Sequence, residues 1–329
     1  MTNCVLSIIF IAMSTPNTYS IHTIAFYNIE NLFDTVDDEN ANDEDFLPDS
    51  AKRWTKKRYE NKLRKVGATI KQIGDLDAAP SVIGIAEVEN EHVVRDLIES
   101  NQLDDTGYDF VHYDSSDERG IDVALLYNSK AFQLEHSEPF SVYLEDEYGN
   151  RDHTRDILLV SGYLDGELIH VIVNHWSSRR EGEKETEFKR MAASNKVLSI
   201  IESLKNDYDD PKIIVMGDFN DNPNNNSLLN IETNGHLFNP FKTLWSKERG
   251  SLNHNFEWNL FDQILFSSNV FNPTQSKIDF LKADIFDNKF LTQYHGKYKG
   301  QPFRTYVGKK YKGGYSDHFP VYIQLKIEV

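Results

Sequence analysis

Ile213-Ile214-Val215-Met216-Gly217-Asp218-Phe219-Asn220 is the stretch on which the reading of the fold turns. Four consecutive apolar residues bounded by turn formers describe a strand buried on both faces. A carboxylate and a carboxamide follow at its end. Working outward, the same kind of short apolar run recurs at residues 23–29, 82–86, 123–127, 158–164, 169–173 and 264–266. Asp165-Gly166 separates two of these runs, and both residues tolerate positive φ, so the spacing predicts an antiparallel hairpin there. The first strand is expected to begin at Ile21.

Two segments carry helical period instead. Tyr59, Leu63, Val66, Ile70 and Ile73 form one stripe, and Phe188, Met191, Leu198 and Ile201 form another, each expected to pack on a sheet. Lys56, Lys57, Arg58, Lys62, Arg64 and Lys65 lie around the first stripe and read as a solvated face, with a substrate-facing role as the alternative. The acidic stretch 34–49 lacks the glycine and spacing of a calcium loop and reads as a solvated loop. Residues 222–226 and 233–255 are loop-like, and no linker or repeat divides the chain, so one domain over 21–329 is expected.

With 329 residues, 39% of them hydrophobic, the chain can bury a large core. A formal charge of -17 excludes a protein that coats nucleic acid through bulk positive charge, so any phosphate site must be local or must draw on metal ions. Cys4 is the only cysteine, which excludes a disulfide framework and a thiolate metal site. Residues 1–20 carry no charged side chain and hold an apolar run at 5–13, read as a signal peptide of a secreted or periplasmic protein. That run is too short to span a bilayer, and no membrane span is expected elsewhere.

The chemistry is suggested by where polar residues fall. Asn28, Glu87, His175, Asp218 and Asn220 each sit in or just after an apolar strand run, and Asp317-His318 lies near the C-terminus. Turn-making explains any one of them, but not all together. Carboxylates, carboxamides and imidazoles without a thiolate suit Mg²⁺ or Mn²⁺ better than structural zinc. Hard cations of this kind neutralise phosphate oxygens and help supply hydroxide in phosphoester cleavage.

Phe26-Tyr27-Asn28-Ile29-Glu30-Asn31-Leu32-Phe33, Ile85-Ala86-Glu87-Val88-Glu89-Asn90, Asn174-His175-Trp176, Gly217-Asp218-Phe219-Asn220 and Ser316-Asp317-His318-Phe319-Pro320 occur in that order. The series resembles the endonuclease/exonuclease/phosphatase superfamily from about Ile21 to the C-terminus. The resemblance implies a four-layer α/β sandwich, two mixed β-sheets packed face to face with helices outside. It implies Glu87 as principal metal ligand with Asn28 and Asp317 nearby, Asp218 as the group that orients or deprotonates the attacking water, and Asn220 holding that water or a phosphate oxygen. His318, paired with Asp262, would contact the phosphate, and His175 would donate to a non-bridging oxygen. Asn31 and Asn90 are expected to be structural. Arg119, Arg155, Arg179 and Arg180 read as surface arginines, with Arg179 the best candidate for a substrate phosphate because it follows His175 on the same loop.

The histidine in Asn174-His175-Trp176 resembles DNase- and phosphatase-like branches, so abasic-site repair is not expected. Residues 304–315, Arg-Thr-Tyr-Val-Gly-Lys-Lys-Tyr-Lys-Gly-Gly-Tyr, interleave basic and aromatic side chains; they either track a nucleic-acid strand or pack their tyrosines on the domain. The leading expectation is a secreted nuclease cleaving DNA or RNA. The alternatives are a phosphatase or phosphodiesterase on small or lipid-linked phosphates, and an inactive binding module of the same fold. No protein partner is readable.

Overall fold

The computed structural model describes residues 19–39, 41–74, 78–271 and 277–328. The expected signal peptide therefore lies outside the described residues, apart from Tyr19 and Ser20. These two already belong to the first strand, paired with Glu328 and Ile327, so it begins two residues before Ile21.

Twelve strands form two mixed sheets. In chain order they are β1 (Tyr19–Leu32), β2 (Val82–Val88), β3 (Tyr108–His112), β4 (Asp122–Asn128), β5 (Phe132–Phe140), β6 (Ile157–Leu164), β7 (Glu167–His175), β8 (Lys212–Asp218), β9 (Leu237–Phe238), β10 (Asp262–Ser267), β11 (Ile278–Ile285) and β12 (Val321–Glu328). One sheet runs β11-β12-β1-β2-β4-β3 and the other β9-β10-β8-β7-β6-β5. Helices α1 (Lys56–Ile70) and α2 (Glu91–Ile98) cover the first, and α3 (Glu187–Asp207) and α4 (Asn226–Gly235) cover the second. This is the four-layer sandwich.

The opening octapeptide shows why its strand reads as a continuous apolar run. Ile214 and Met216 enter the core between the sheets, whereas Ile213 and Val215 enter a second core under α3. Alternate side chains of a strand point to opposite faces, and here both faces are dry. Full burial of such a side chain contributes roughly 1.5–3 kcal/mol. The sheets approach closely at Gly84 of β2, where a Cβ would meet Met216 Sδ at 2.7 Å.

Every strand run read from the sequence lies in a strand, and Asp165 (φ 46°) and Gly166 (φ 82°) make the expected hairpin between β6 and β7. The first helical stripe is buried throughout, including Ile73 just beyond α1. The second needs correction. Phe188 is exposed, and the face of α3 that meets the sheet is Arg190, Ala193, Ser194, Val197, Ile200, Ile201 and Leu204. A buried arginine is stable there because Arg190 pairs with Asp221 at 2.9 Å, so the true stripe is partly polar and small. Of the segments expected as loops, Asn226 and residues 233–235 instead belong to α4, which forms because Leu228 and Ile231 bury against α3 despite the asparagine-rich sequence.

The basic cluster around α1 divides: Lys56, Lys57 and Arg64 are exposed, as expected of a solvated face, whereas Arg58, Lys62 and Lys65 are drawn onto residues 304–315. Lys62 is buried, donating to Thr305 Oγ1 and to the Tyr315 carbonyl, both at 2.7 Å. Arg58 lies over the Tyr311 ring and Lys65 over Tyr315. Tyr306 is buried against Trp54. Of the two readings of residues 304–315, the packed one holds: the basic helix face docks this segment.

Candidate active site

Register places the functional groups. Parallel pairing sets β1 beside β2, with Asn28 level with Ala86 and Glu87 next in the chain. In the second sheet Asp218, last residue of β8, is level with His175 on β7 and Asp262 on β10. Register partners share a face, so three polar side chains from three strands converge at one edge. Gly217 permits this crowding, since a Cβ there would lie 2.4 Å from the Asn174 carbonyl oxygen. Glu87 (φ 67°) and Asn220 (φ 49°) leave their strands in the left-handed region. Such conformations are costly for residues with a side chain and cluster at functional sites.

Asn28 joins the two sheets, its Nδ2 donating to Asp218 Oδ2 at 3.0 Å and to Glu87 Oε1 at 3.3 Å. Glu87 Oε2 accepts from the backbone N–H of Asn31, whose Oδ1 in turn accepts from Arg119. Asn90 is structural as expected: it caps α2 by accepting from Val93 N–H.

Asp218 is buried, which pushes its carboxyl up to about 7, with His318 opposing and Asp262 adding to the rise. Its Oδ1 accepts from Asn220 N–H, and Asn220 Nδ2 donates to the Trp176 carbonyl at 2.9 Å. The Asn220 side chain is thus fixed through one of its two amide N–H donors.

His318 donates through Nδ1 to Asp262 Oδ2 at 2.7 Å, and its Nε2 lies 3.8 Å from Asp218 Oδ2. Burial acts against its charge, but the Asp262 and Asp218 carboxylates outweigh burial and hold it protonated well above the ordinary range. Ser251 Oγ donates to the same Asp262 oxygen. Ser316 Oγ accepts from His318 N–H and donates to the Asn28 carbonyl, tying the C-terminal motif to β1.

Asp317 pairs with Arg304 at 2.7 Å. Burial would raise its carboxyl, but His318, Arg304 and Lys62 bring it below the ordinary value. Behind it Glu30 is raised to about 7 by burial and by Asp317.

Arg155 and Arg179 depart from a surface reading, whereas Arg180 is exposed as expected. Arg155 is buried, bonded to Asp117 Oδ2 at 3.0 Å and donating to His175 Nε2 at 3.1 Å. His175 is thereby neutral: burial and the nearby Arg155 and Arg119 guanidiniums push it well below its usual range. With Nε2 accepting from Arg155, His175 does not present an Nε2–H in this arrangement. Arg179 spends its donors on Asn220 O, Asp221, Asn225 and Glu183, and so anchors the loop after Asn220. Arg119 and Arg180 also line the cleft. Sequence reading missed Asp117 and Ser251, since neither sits at a strand end or in a recognisable motif.

These groups floor a cleft of about 1230 Å³, lined by Glu87, His175, Asp218, Asn220, Asp317 and His318. Glu87, Asp218, Asp262 and Asp317 bring four carboxylates together, against His318 and Arg304 as close countercharges. The excess of oxygen-borne negative charge fits a hard divalent cation. Asp218, Asp262 and His318 also offer ligand atoms within 4.8 Å of one another.

Two stacked mixed sheets with a carboxylate- and imidazole-lined site at their edge define the DNase-like fold class. Residues 23–327 match the family model described as Endonuclease/Exonuclease/phosphatase family, and the chain belongs to that family. It is an enzyme of the phosphoester-hydrolase class. No curated protein matches the sequence. Among solved structures, an endonuclease/exonuclease/phosphatase family protein from Bacteroides thetaiotaomicron is similar at TM-score 0.61 and 17% identity, with 95% of this chain and 100% of that chain covered. A mannosyl-6-phosphatase from Bacteroides thetaiotaomicron VPI-5482 is similar at TM-score 0.58 and 18% identity, covering 92% and 99%. The human Nocturnin catalytic domain is similar at TM-score 0.56 and 14% identity, covering 94% and 97%. Among the described residues no helix is long and apolar enough to cross a membrane.

Proposed function

We propose that the chain is a secreted, Mg²⁺- or Mn²⁺-dependent phosphodiesterase that cleaves DNA or RNA by attack of water. The observation that carries the reading is the placement of a proton acceptor and a proton donor on one space: Asp218 Oδ2 and His318 Nε2 lie 3.8 Å apart, beside Glu87. Asn28, Glu87 and Asp317 would hold the metal, which when bound neutralises phosphate oxygens and lowers the cost of forming hydroxide.

The chain's own groups carry the rest. Asp218, raised toward neutrality, takes a proton from the attacking water, and Asn220 fixes its orientation through the Asp218 Oδ1 contact. His318, kept protonated by Asp262, binds a phosphate oxygen as charge accumulates there. Neutral His175 contributes by holding its place between Glu87 and Asp218, 3.8 Å from each. Arg119 and Arg180 are better placed than Arg179 for the substrate phosphate, because Arg179's donors are already taken by protein.

A small phosphate ester is the second reading. It is favoured by the docking of residues 304–315, which removes the basic-aromatic strand track and leaves positive charge for a short stretch of substrate. Secretion rests on the uncharged first 20 residues; N-terminal sequencing of protein recovered outside the cell tests it, and cleavage is expected before Tyr19, which is already paired in β1.

The decisive assay is hydrolysis of plasmid DNA, RNA and bis-p-nitrophenyl phosphate with Mg²⁺, Mn²⁺ or EDTA, beside Asp218→Ala and His318→Ala. Metal-dependent nucleic-acid cleavage lost in both variants is the expected result. Hydrolysis of small esters without nucleic-acid cleavage moves the assignment to the second reading, and inactivity with every metal revives the binding module.

A further inference from the structure

A two-stranded ribbon, Leu252–His254 paired with Glu257–Asn259, stands at the mouth of the cleft. Asn255-Phe256 forms its two-residue turn, and both residues have positive φ, 50° and 68°. Asparagine followed by glycine is the favoured pair for such a turn, because a bulky residue in the left-handed region is strained. Phe256 occupies the glycine position. The Phe256 side chain nonetheless remains 56% exposed.

The ring has two neighbours, Tyr298 and Lys297, whose Nζ lies 5.8 Å from its centroid. Phe256 stacks on Tyr298, centroids 5.5 Å apart and planes 3° from parallel, with Lys297 Nζ 4.8 Å from the Tyr298 centroid. The base of the ribbon is tied to the catalytic groups: Leu252 bridges to His318, Phe319 N–H donates to the Ser251 carbonyl, and Ser251 Oγ donates to Asp262. Trp258 stacks on Phe319. The turn is therefore held in fixed relation to His318.

We propose that Phe256, backed by Tyr298 and Lys297, is a stacking subsite for the base of the nucleotide attached to the scissile phosphate. This rests on the reading of the cleft as a phosphodiesterase site and narrows its substrate to esters bearing a planar base. An exposed aromatic face lining the same cleft as His318 suits any base, because every base offers a π-face, and the adjacent lysine suits a neighbouring phosphate. The left-handed turn holds at the cleft mouth a ring that is still more than half exposed, and residues in such backbone conformations cluster at ligand sites.

The test compares two phosphodiesters that release the same p-nitrophenol, thymidine 5′-monophosphate p-nitrophenyl ester and methyl p-nitrophenyl phosphate, on the full chain with Mg²⁺. Stacking predicts a kcat/KM ratio of roughly ten-fold or more for the base-bearing ester, collapse of that ratio in Phe256→Ala, and its retention in Phe256→Trp. A ratio near one in the unaltered protein, or one that survives Phe256→Ala, overturns the subsite. Should neither ester be hydrolysed, the phosphodiesterase reading fails separately, and the subsite is decided by binding. Quenching of the added tryptophan of Phe256→Trp by a thymidine tetranucleotide, but not by its abasic analogue, supports it; no quenching overturns it. A blue shift of that tryptophan on phosphatidylcholine/phosphatidylglycerol vesicles without nucleotide quenching also overturns it, assigning the turn to a lipid surface.

Discussion

Arg155 donates from Nη2 to Nε2 of His175 across 3.1 Å, and both side chains are buried. A histidine in a cleft of carboxylates is ordinarily drawn toward protonation, yet this one is kept neutral because burial and the Arg155 charge both oppose a second cation. Replacing Arg155 with methionine removes one of those opposing charges and frees Nε2. The histidine titration of Arg155→Met, followed by NMR, is expected to move up toward the ordinary value of about 6.5. Turnover is expected to fall about ten- to hundred-fold as His175 loses its fixed tautomer. A His175 resonance that titrates identically in both proteins sinks the assignment.

Asp262 governs His318 in the opposite sense. Its carboxylate accepts the Nδ1 proton at 2.7 Å and contributes most to holding the imidazole protonated. Asp262→Asn removes the charge and leaves Asp218 as the main support. Because His318 is raised, its protonated form persists to higher pH in the unaltered protein; without Asp262 the alkaline limb of the rate profile moves to lower pH. The rate at neutral pH is expected to drop on the order of 10²–10⁴-fold, the range for losing a carboxylate that fixes a histidine tautomer. A smaller drop with an unmoved alkaline limb removes His318 from the role of acid.

How far the sequence was legible depended on whether a signal was local. β8 could be read because alternate residues enter two different cores, leaving an unbroken apolar run that ends on Asp218. Glu87, His175 and Asp218 were legible for the same reason, as polar residues where such runs stop. The buried side of α3 was not, because Arg190 is an interior residue only by virtue of Asp221, thirty-one positions further on. Likewise Arg155 and Asp117 lie 38 residues apart, both outside the strands, and nothing local marks them as a buried pair. Lys62 of α1 looked solvated since its partners, Thr305 and the Tyr315 carbonyl, come from the far end of the chain.

Asp122 permits a test of stability away from the cleft floor. Burial pushes its carboxyl up to about 7, and its Oδ1 is buried with no hydrogen-bond partner among the described residues. A carboxyl raised above its unfolded value holds its proton more tightly in the fold. Its contribution is therefore complete below about pH 4 and is lost as pH rises toward 7. Asp122→Asn keeps an acceptor for Ser115 N–H and cannot ionise. Urea melts should show the variant close to the unaltered protein near pH 4.5 and more stable by about 2–4 kcal/mol near pH 7.5. A difference that does not change with pH refutes a raised Asp122.

Glu87 is the carboxylate on which the proposed metal site can be tested. Its Oε1 lies 3.8 Å from His175 Nε2 and its Oε2 accepts from Asn31 N–H, so the carboxylate is held in place but has no directly paired cation among the described residues. A divalent ion bound to the folded chain and not to the unfolded one raises stability by mass action, about 2.7 kcal/mol at a hundred times its Kd. Saturating Mg²⁺ should accordingly raise the Tm of the unaltered protein by several degrees, reversibly with EDTA. Glu87→Gln preserves shape and removes the charge, so the shift should largely vanish while the fold, judged by the metal-free Tm, remains. An equal Mg²⁺ shift in both proteins places the ion elsewhere, with Asp218, Asp262 and His318 the next group to replace, since their ligand atoms lie within 4.8 Å of one another.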